Sequence, residues 1–375
     1  MNKTAKIILG IIVLVIVIVL IVVFYKPTPK GTIKIGAVIP LTGDNSSYGE
    51  HMKEGIELAK EEINLSGGIK GRKLEIVYDD SQGSAQQGLT AYRELVDIKG
   101  IKIILSGISG VILGIAPSAE KDQTLIFSVG AAAAKISEAG DFIFRHNVLP
   151  QTEAVVQADL IYNKMGHKEV AGIFVNAESG VSYRDEFKKQ YEKLGGTMKT
   201  IEMYEKGTAD FRIQLTKIKA SGIKAVFAGS YIKELGYILK QSKELGLNVQ
   251  WFSGYIAEGP EVVDIAGDAA EGLIYTHFFD PQSPSVEDYQ NKFKKTYGKI
   301  SEFYAALAYD NVKILAKVME NCSNAEDPVC VKSGLYKIKN FPGVTGKITF
   351  DQNGDTQKII ILKTIKNGQF VPYEE

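Results

Sequence analysis

The chain has 375 residues, and its 44 basic and 44 acidic side chains cancel, so no net field draws it to nucleic acid or to an anionic membrane surface. A small, neutral partner is expected instead. Two cysteines and four scattered histidines give no cluster with metal-ligand spacing, so neither a metal nor a cofactor is expected.

Taken in chain order, the first element runs from Ile7 to Phe24 without a charge, a proline or a polar side chain, and Lys3 and Lys6 precede it. At about 1.5 Å per residue this run reaches roughly 27 Å, close to the thickness of a hydrocarbon core. It is also longer than the ~7 to 15 residue core of a cleaved signal peptide. Residues 1–30 are therefore expected to form an uncleaved N-terminal transmembrane anchor and linker in the cell membrane, with everything after it extracytoplasmic. Cleavage is the alternative. Against it stand the lack of a small-x-small site after the run and of a cysteine near residue 25 to carry a lipid, although Lys26 and Lys30 leave the charge asymmetry weak.

From Gly31 onward short β-branched runs alternate with amphipathic stretches. Strands are expected at Thr32 to Val38, Lys73 to Tyr78, Ile101 to Leu105, Leu125 to Val129, Glu169 to Val175, Lys224 to Ala228 and Gln250 to Ser253. Helices fill the gaps: Met52, Ile56, Ala59 and Ile63 recur at helical spacing, as do Ile112, Ile115 and Ala119. This rhythm predicts an α/β fold with parallel sheets covered on both faces. A body of ~350 residues exceeds what one core usually holds, so two lobes are expected. Near the end, Cys322 and Cys330 lie in a turn-rich stretch without nearby histidines and are expected to pair as a disulfide, two free thiols being the alternative.

In open parallel sheets ligands bind beyond the carboxyl ends of the strands. Three loops qualify. Pro40 to Gly49 follows the first strand. Ser106-Gly-Ile-Ser109-Gly110 turns a strand into a helix, whose amino terminus favours a carboxylate and whose serine adds a donor or merely caps the helix. Ser128-Val-Gly130-Ala131-Ala132 is built of small residues that let a ligand approach the backbone.

Further motifs stand in a recognisable order: Ile35 to Gly43, Tyr48-Gly49, Ile63-Asn64, Gly67 to Gly71, Asp79-Asp80, Asp210-Phe211, Gly229 to Gly246, Tyr309-Asp310, Gly343-Val-Thr-Gly346 and Phe350 to Asp355. By these the chain resembles the type I solute-binding proteins of ABC transporters, in particular the branched-chain amino-acid receptors. The resemblance covers nearly the whole body. It implies two Rossmann-like lobes of the periplasmic-binding-protein type I, joined by crossings near residues 149, 278 and 346. Lobe 1 would then hold 31–149 and 278–345, and lobe 2 would hold 150–277 and 346–375. It also implies capture of a small amino acid or related carboxylate and its delivery to permease and ATPase subunits.

Carried over residue by residue, the resemblance assigns Tyr48 to an aromatic wall, Ser109 to the ligand carboxylate and Tyr231 to the second lobe. By the same resemblance Gly130 and Ala132 supply backbone contacts, with Ala131 between them on the small-residue loop as a further candidate. Ala132 lacks the threonine hydroxyl usual in the amino-acid binders, and Ser179 replaces an expected aromatic. The largest departure is Tyr255, which stands where leucine-type receptors place the glutamate that faces the ammonium. A buried ammonium without a counter-charge costs several kcal/mol, on the order of a lost buried ion pair. Either Glu258 reaches the site or the ligand has no ammonium. Glu258 otherwise reads as a first-turn helix acid.

An enzyme would need a catalytic constellation, and none is found. His51, His146, His167 and His277 read as surface or capping residues, no nucleophile elbow or P-loop occurs, and Asp351 to Asp355 reads as a hairpin turn rather than a calcium loop. The alternatives to transport are a ligand-sensing co-receptor for a signalling partner, and the binding of an amide, urea or aromatic acid.

Overall fold

The computed structural model describes residues 31–280 and 283–374, so the apolar stretch 7–24 lies outside the described residues. Among the described residues no helix is long and apolar enough to cross a membrane.

The first half of the chain runs β1 (Ile33–Ile39), α1 (Ser46–Leu65), β2 (Leu74–Asp80), α2 (Ala85–Arg93), β3 (Ile103–Ser106), α3 (Ser109–Asp122), β4 (Leu125–Val129) and β5 (Ile143–His146). The five strands form one parallel sheet in the order β2-β1-β3-β4-β5. Its central strands are apolar on both faces, as a sheet covered by helices on both sides requires, and β4 is buried at every residue.

After β5 the chain enters α4 (Pro150–Asp159), with proline at the first helical position, where its missing N–H costs nothing. Then come β6 (Glu169–Val175), α5 (Glu178–Lys193), β7 (Thr197–Tyr204), α6 (Arg212–Ala220), β8 (Ala225–Gly229), α7 (Ile232–Glu244), β9 (Gln250–Ser253), α8 (Pro260–Ala266) and β10 (Ile274–His277). The chain returns through α9 (Glu287–Tyr297), α10 (Phe303–Met319) and α11 (Pro328–Leu335) to a short hairpin of β11 (Phe341–Gly343) and β12 (Gly346–Ile348). It ends in β13 (Ile361–Lys366) and β14 (Gln369–Pro372). The second sheet has the order β14-β13-β10-β9-β8-β6-β7, parallel from β10 to β7, with β13 and β14 added antiparallel at one edge.

The expected α/β fold with two lobes of parallel sheets is present. The strands missed in the sequence are β5, β7, β10 and those after α11. The third crossing falls later than 346: Gly343 to Gly346 is the tip of the β11–β12 hairpin, Phe350 packs edge-on against Phe127 and Phe144, and Asp355 is bridged to Arg145. The chain thus stays with the first sheet until about Thr356. Asp351 to Asp355 forms a tight turn, in which the Asp351 carboxylate accepts the N–H groups of Asn353 and Asp355 at 2.8 and 3.0 Å.

Two histidines differ from expectation. His146 and His277 are both buried, and His146 has partners that only the tertiary fold supplies. His146 Nδ1 meets Asn311 Oδ1 at 2.9 Å and its Nε2 meets Lys358 Nζ at 2.7 Å, while His277 Nδ1 accepts the N–H of Phe279 at 3.0 Å. Burial pushes the Lys358 ammonium down to about 7.

Cys322 and Cys330 form the expected disulfide, which ties the first turn of α11 to the segment before it. On loop entropy alone a bridge closing so short a loop contributes about 2 to 3 kcal/mol. Cys322→Ala with Cys330→Ala is therefore expected to lower the unfolding free energy by that amount, read from denaturant titration, and an unchanged midpoint would show that the bridge adds nothing.

Candidate functional site

The carboxyl ends of β1, β3 and β4 in the first lobe face those of β6, β8 and β9 in the second. Between them lies a cleft lined by Ser109, Gly130, Ala131 and Ala132 from one side and by Ser179, Tyr183, Tyr231 and Tyr255 from the other, with Tyr304 of α10 alongside. The remaining free volume is ≈ 30 Å³, room for about two water molecules, so the lobes lie closed on each other.

Helix α3 opens this cleft with a strained start. Ile108 holds φ 65°, a left-handed conformation that a β-branched residue rarely adopts, and it delivers Ser109 at the first turn. Ser109 is buried, and its Oγ accepts the N–H groups of Ala132 at 3.1 Å and Ala133 at 3.0 Å. With both lone pairs engaged, the serine proton is left to donate elsewhere, next to the first N–H groups of the helix, which have no intrahelical partner. Gly130 is required where it stands: its φ is +70°, and a Cβ there would sit 2.4 Å from the Tyr304 ring.

Tyrosines dominate the walls. The Tyr255 hydroxyl donates to Gly130 O at 2.9 Å and accepts the Asn147 side-chain amide at 2.9 Å, which places it between the lobes. Tyr48 stands behind the lining, edge-on to Tyr231 and Tyr304 at ring distances of 6.2 and 5.1 Å, and its hydroxyl accepts the Ile232 N–H at 3.0 Å. Ser182 Oγ accepts the Ala134 N–H at 3.0 Å. Three of these bonds, Tyr255 to Gly130 O, Tyr48 to Ile232 N–H and Ser182 to Ala134 N–H, each join a side chain on one lobe to main chain on the other.

Of the residues singled out in the sequence, Ser109, Gly130, Ala131, Ala132, Ser179, Tyr231 and Tyr255 meet at the cleft. Tyr48 adjoins it as a latch. Glu258 does not reach it: both its oxygens are taken, by Lys363 Nζ at 2.7 and 2.6 Å and by the Tyr275 hydroxyl at 2.8 Å. The lysine that captures it arrives on β13, far along the chain, which the local sequence could not announce.

Tyr183 and Tyr304 were missed. Tyr183 lies one helical turn beyond Ser179, so the spacing from that residue was a usable signal. Tyr304 had none, being brought in only by the packing of α10 on α1.

Behind the cleft lies Glu153, on the first turn of α4 and fully buried. Its carboxylate accepts the Tyr183 hydroxyl, the Tyr255 N–H at 2.9 Å and the Thr276 hydroxyl at 2.5 Å. Burial raises its pKa to about 7 against the lowering effect of these donors. Among the described residues no carboxylate lines the cleft itself, and no group of acids, histidines or cysteines is arranged to hold a metal ion.

Comparison with known proteins places this geometry. Residues 32–368 match the Periplasmic binding protein family. The leucine-, isoleucine-, valine-, threonine- and alanine-binding protein of Pseudomonas aeruginosa is 30% identical, covering 92% of this chain and 90% of that one. Among solved structures, the leucine-binding protein LivK of Thermotoga maritima superposes with a TM-score of 0.85 at 26% identity, covering 92% of this chain and 98% of its own. The branched-chain amino-acid substrate-binding protein LivJ of Streptococcus pneumoniae does so with a TM-score of 0.84 at 25% identity, covering 91% and 98%. With two parallel-sheet lobes closed over a cleft built from strand-end loops, the chain belongs to the periplasmic binding protein family.

Proposed function

We propose that the protein is the extracytoplasmic solute receptor of an ABC-type transporter, closing its lobes on a small amino acid of the branched-chain type and presenting it to permease and ATPase subunits. The observation that carries this reading is Ser109: a buried hydroxyl whose acceptor capacity is filled, set at the head of α3, leaves a donor and helix N–H groups for a carboxylate. Val175, Ile256 and the tyrosines around it suit a short apolar side chain. Names of relatives agree, since the Pseudomonas protein is a Leu, Ile, Val, Thr and Ala binder and the Streptococcus structure holds isoleucine. The ligand enters as the lobes part and is sealed as they re-close, and no chemistry is performed on it. The apolar segment 7–24 would tether the receptor near its permease.

A second reading, an ammonium-free aromatic acid, is favoured by the lack of an acid in the lining and by the methyl of Ala132. Solute-binding proteins of Rhodopseudomonas palustris with 3,4-dihydroxybenzoic acid and with benzoate share the fold at 20% and 17% identity.

Ser109→Ala removes the donor and frees the loop it holds, so calorimetry with L-leucine is expected to show affinity about 10- to 100-fold weaker, the range of a lost hydrogen bond to a charged group. Unchanged affinity would sink the carboxylate seat.

A further inference from the structure

The cleft offers no carboxylate to a ligand ammonium, yet one lies a single side chain away. Tyr183 lines the cleft and donates its only proton to Glu153. Resting on the amino-acid reading above, we propose that Glu153, acting through Tyr183, is the counter-charge for the ligand's ammonium group.

The argument is one of proton inventory. An ionised carboxylate only accepts, so while Glu153 is ionised the Tyr183 proton is committed to it and the phenol oxygen keeps only acceptor capacity. Hydrogen bonds that share an ionised member polarise one another, and the charge behind the phenol strengthens its oxygen as an acceptor for an ammonium. Protonation reverses the pattern. Glu153 then donates to the phenol oxygen, the tyrosine turns its own proton outward, and the acceptor becomes a donor that an ammonium cannot use. Glu153 is thus a positioning residue that sets the polarity of Tyr183 without touching the ligand.

Everything facing Glu153 is consistent with this switch. The groups are the Tyr183 hydroxyl from α5, the Tyr255 N–H after β9 and the Thr276 hydroxyl from β10. The titratable ones among them are the two tyrosines; burial, together with the Glu153 charge, holds both above the ordinary tyrosine range, so they stay protonated. Among the described residues no cation acts on the carboxylate, which leaves burial free to raise it to about 7. A purely structural acid on α4 would stabilise the second lobe but would not distinguish an amino acid from the same acid without its amino group.

The test compares L-leucine with 4-methylpentanoate, its deaminated counterpart, by calorimetry between pH 6 and pH 8.5. In the wild type the preference for leucine is expected to be largest above pH 7 and to fall about tenfold toward pH 6 as Glu153 takes up a proton. Lys358, which burial brings down to about 7, also titrates in this window, but it does not line the cleft and should move both ligands alike, so the ratio isolates Glu153; His146 stays neutral, because burial holds its imidazole well below the ordinary range. Glu153→Gln presents an amide N–H to the phenol, which fixes the protonated pattern. It should weaken leucine about tenfold or more, spare 4-methylpentanoate and abolish the pH dependence of the ratio. Tyr183→Phe should do the same with Glu153 left in place, so a folding defect in one variant does not decide the result. A wild-type preference that ignores pH, or one that survives both substitutions, overturns the inference. Equal or tighter binding of 4-methylpentanoate overturns it while the carboxylate seat stands, and failure of both acids to bind overturns both.

Discussion

Asp355→Ala is expected to destabilise the protein by about 3 to 5 kcal/mol, read as a fall in the urea midpoint of unfolding. Its partner Arg145 is fully buried, with Nε on Asp355 Oδ1 at 2.7 Å, Nη1 on Ala133 O at 2.6 Å and Nη2 on Ser137 Oγ at 2.6 Å. Removing the carboxylate strands a guanidinium in a dry interior, and that uncompensated charge, rather than the lost attraction, sets the size of the loss. The double variant Arg145→Met with Asp355→Ala should accordingly recover much of it, since no charge is then left behind. Ligand affinity should fall in the single variant as well, because Arg145 holds the carbonyl of Ala133, next to the cleft residues Ala131 and Ala132. A single-variant loss below about 1 kcal/mol would show that the pair is not what orders this corner.

Gly55→Ala should cost about 3 kcal/mol, the upper part of the range for an overpacked core. A Cβ at residue 55 would lie 1.9 Å from the carbonyl oxygen of Ala305 and 2.7 Å from its carbon. Both are backbone atoms of α10, which no rotamer change can move aside, so α1 and α10 must separate. Tyr304, adjacent to Ala305, would shift with the helix and loosen the cleft, so thermal stability and leucine affinity should drop together. Leu65→Ala, at the exposed end of the same helix, is the control and should leave both unchanged. A Gly55→Ala protein as stable as the wild type would mean that the two helices are not in the close contact described.

The parts of the fold legible in the sequence were those whose burial is written locally. Leu125 to Val129, Glu169 to Val175 and Gln250 to Ser253 are strands with the bounds read from their apolar runs. β5 escaped because half of Ile143–His146 is Arg145 and His146, buried only by virtue of Asp355, Asn311 and Lys358 from elsewhere in the chain. β7 escaped because it is an edge strand in which lysine and glutamate alternate with apolar residues. At the cleft the same division holds. Ser109 and Gly130 sit on loops whose small residues and strand-to-helix turns can be seen in sequence. Glu258 misled because a carboxylate's reach depends on which cation arrives first, and Lys363 comes from a strand added antiparallel at the sheet edge. Glu153 gave no signal at all, since an acid in the first turn of a helix is ordinary until a tertiary fold closes over it.

The latches between the lobes have a further consequence for evolution. Tyr48 to Ile232 N–H, Tyr255 to Gly130 O and Ser182 to Ala134 N–H all end on main-chain atoms. A main-chain partner survives any substitution that preserves the backbone, so the side chains of Ile232 and Ala134 are free to diversify while the clasp is kept. At about 1 kcal/mol each, three such bonds bias closure without locking it. Cargo preference and jaw mechanics are thereby separately inheritable: a descendant can acquire a new nutrient by repainting the walls of the cleft while its bite stays reversible enough to let go.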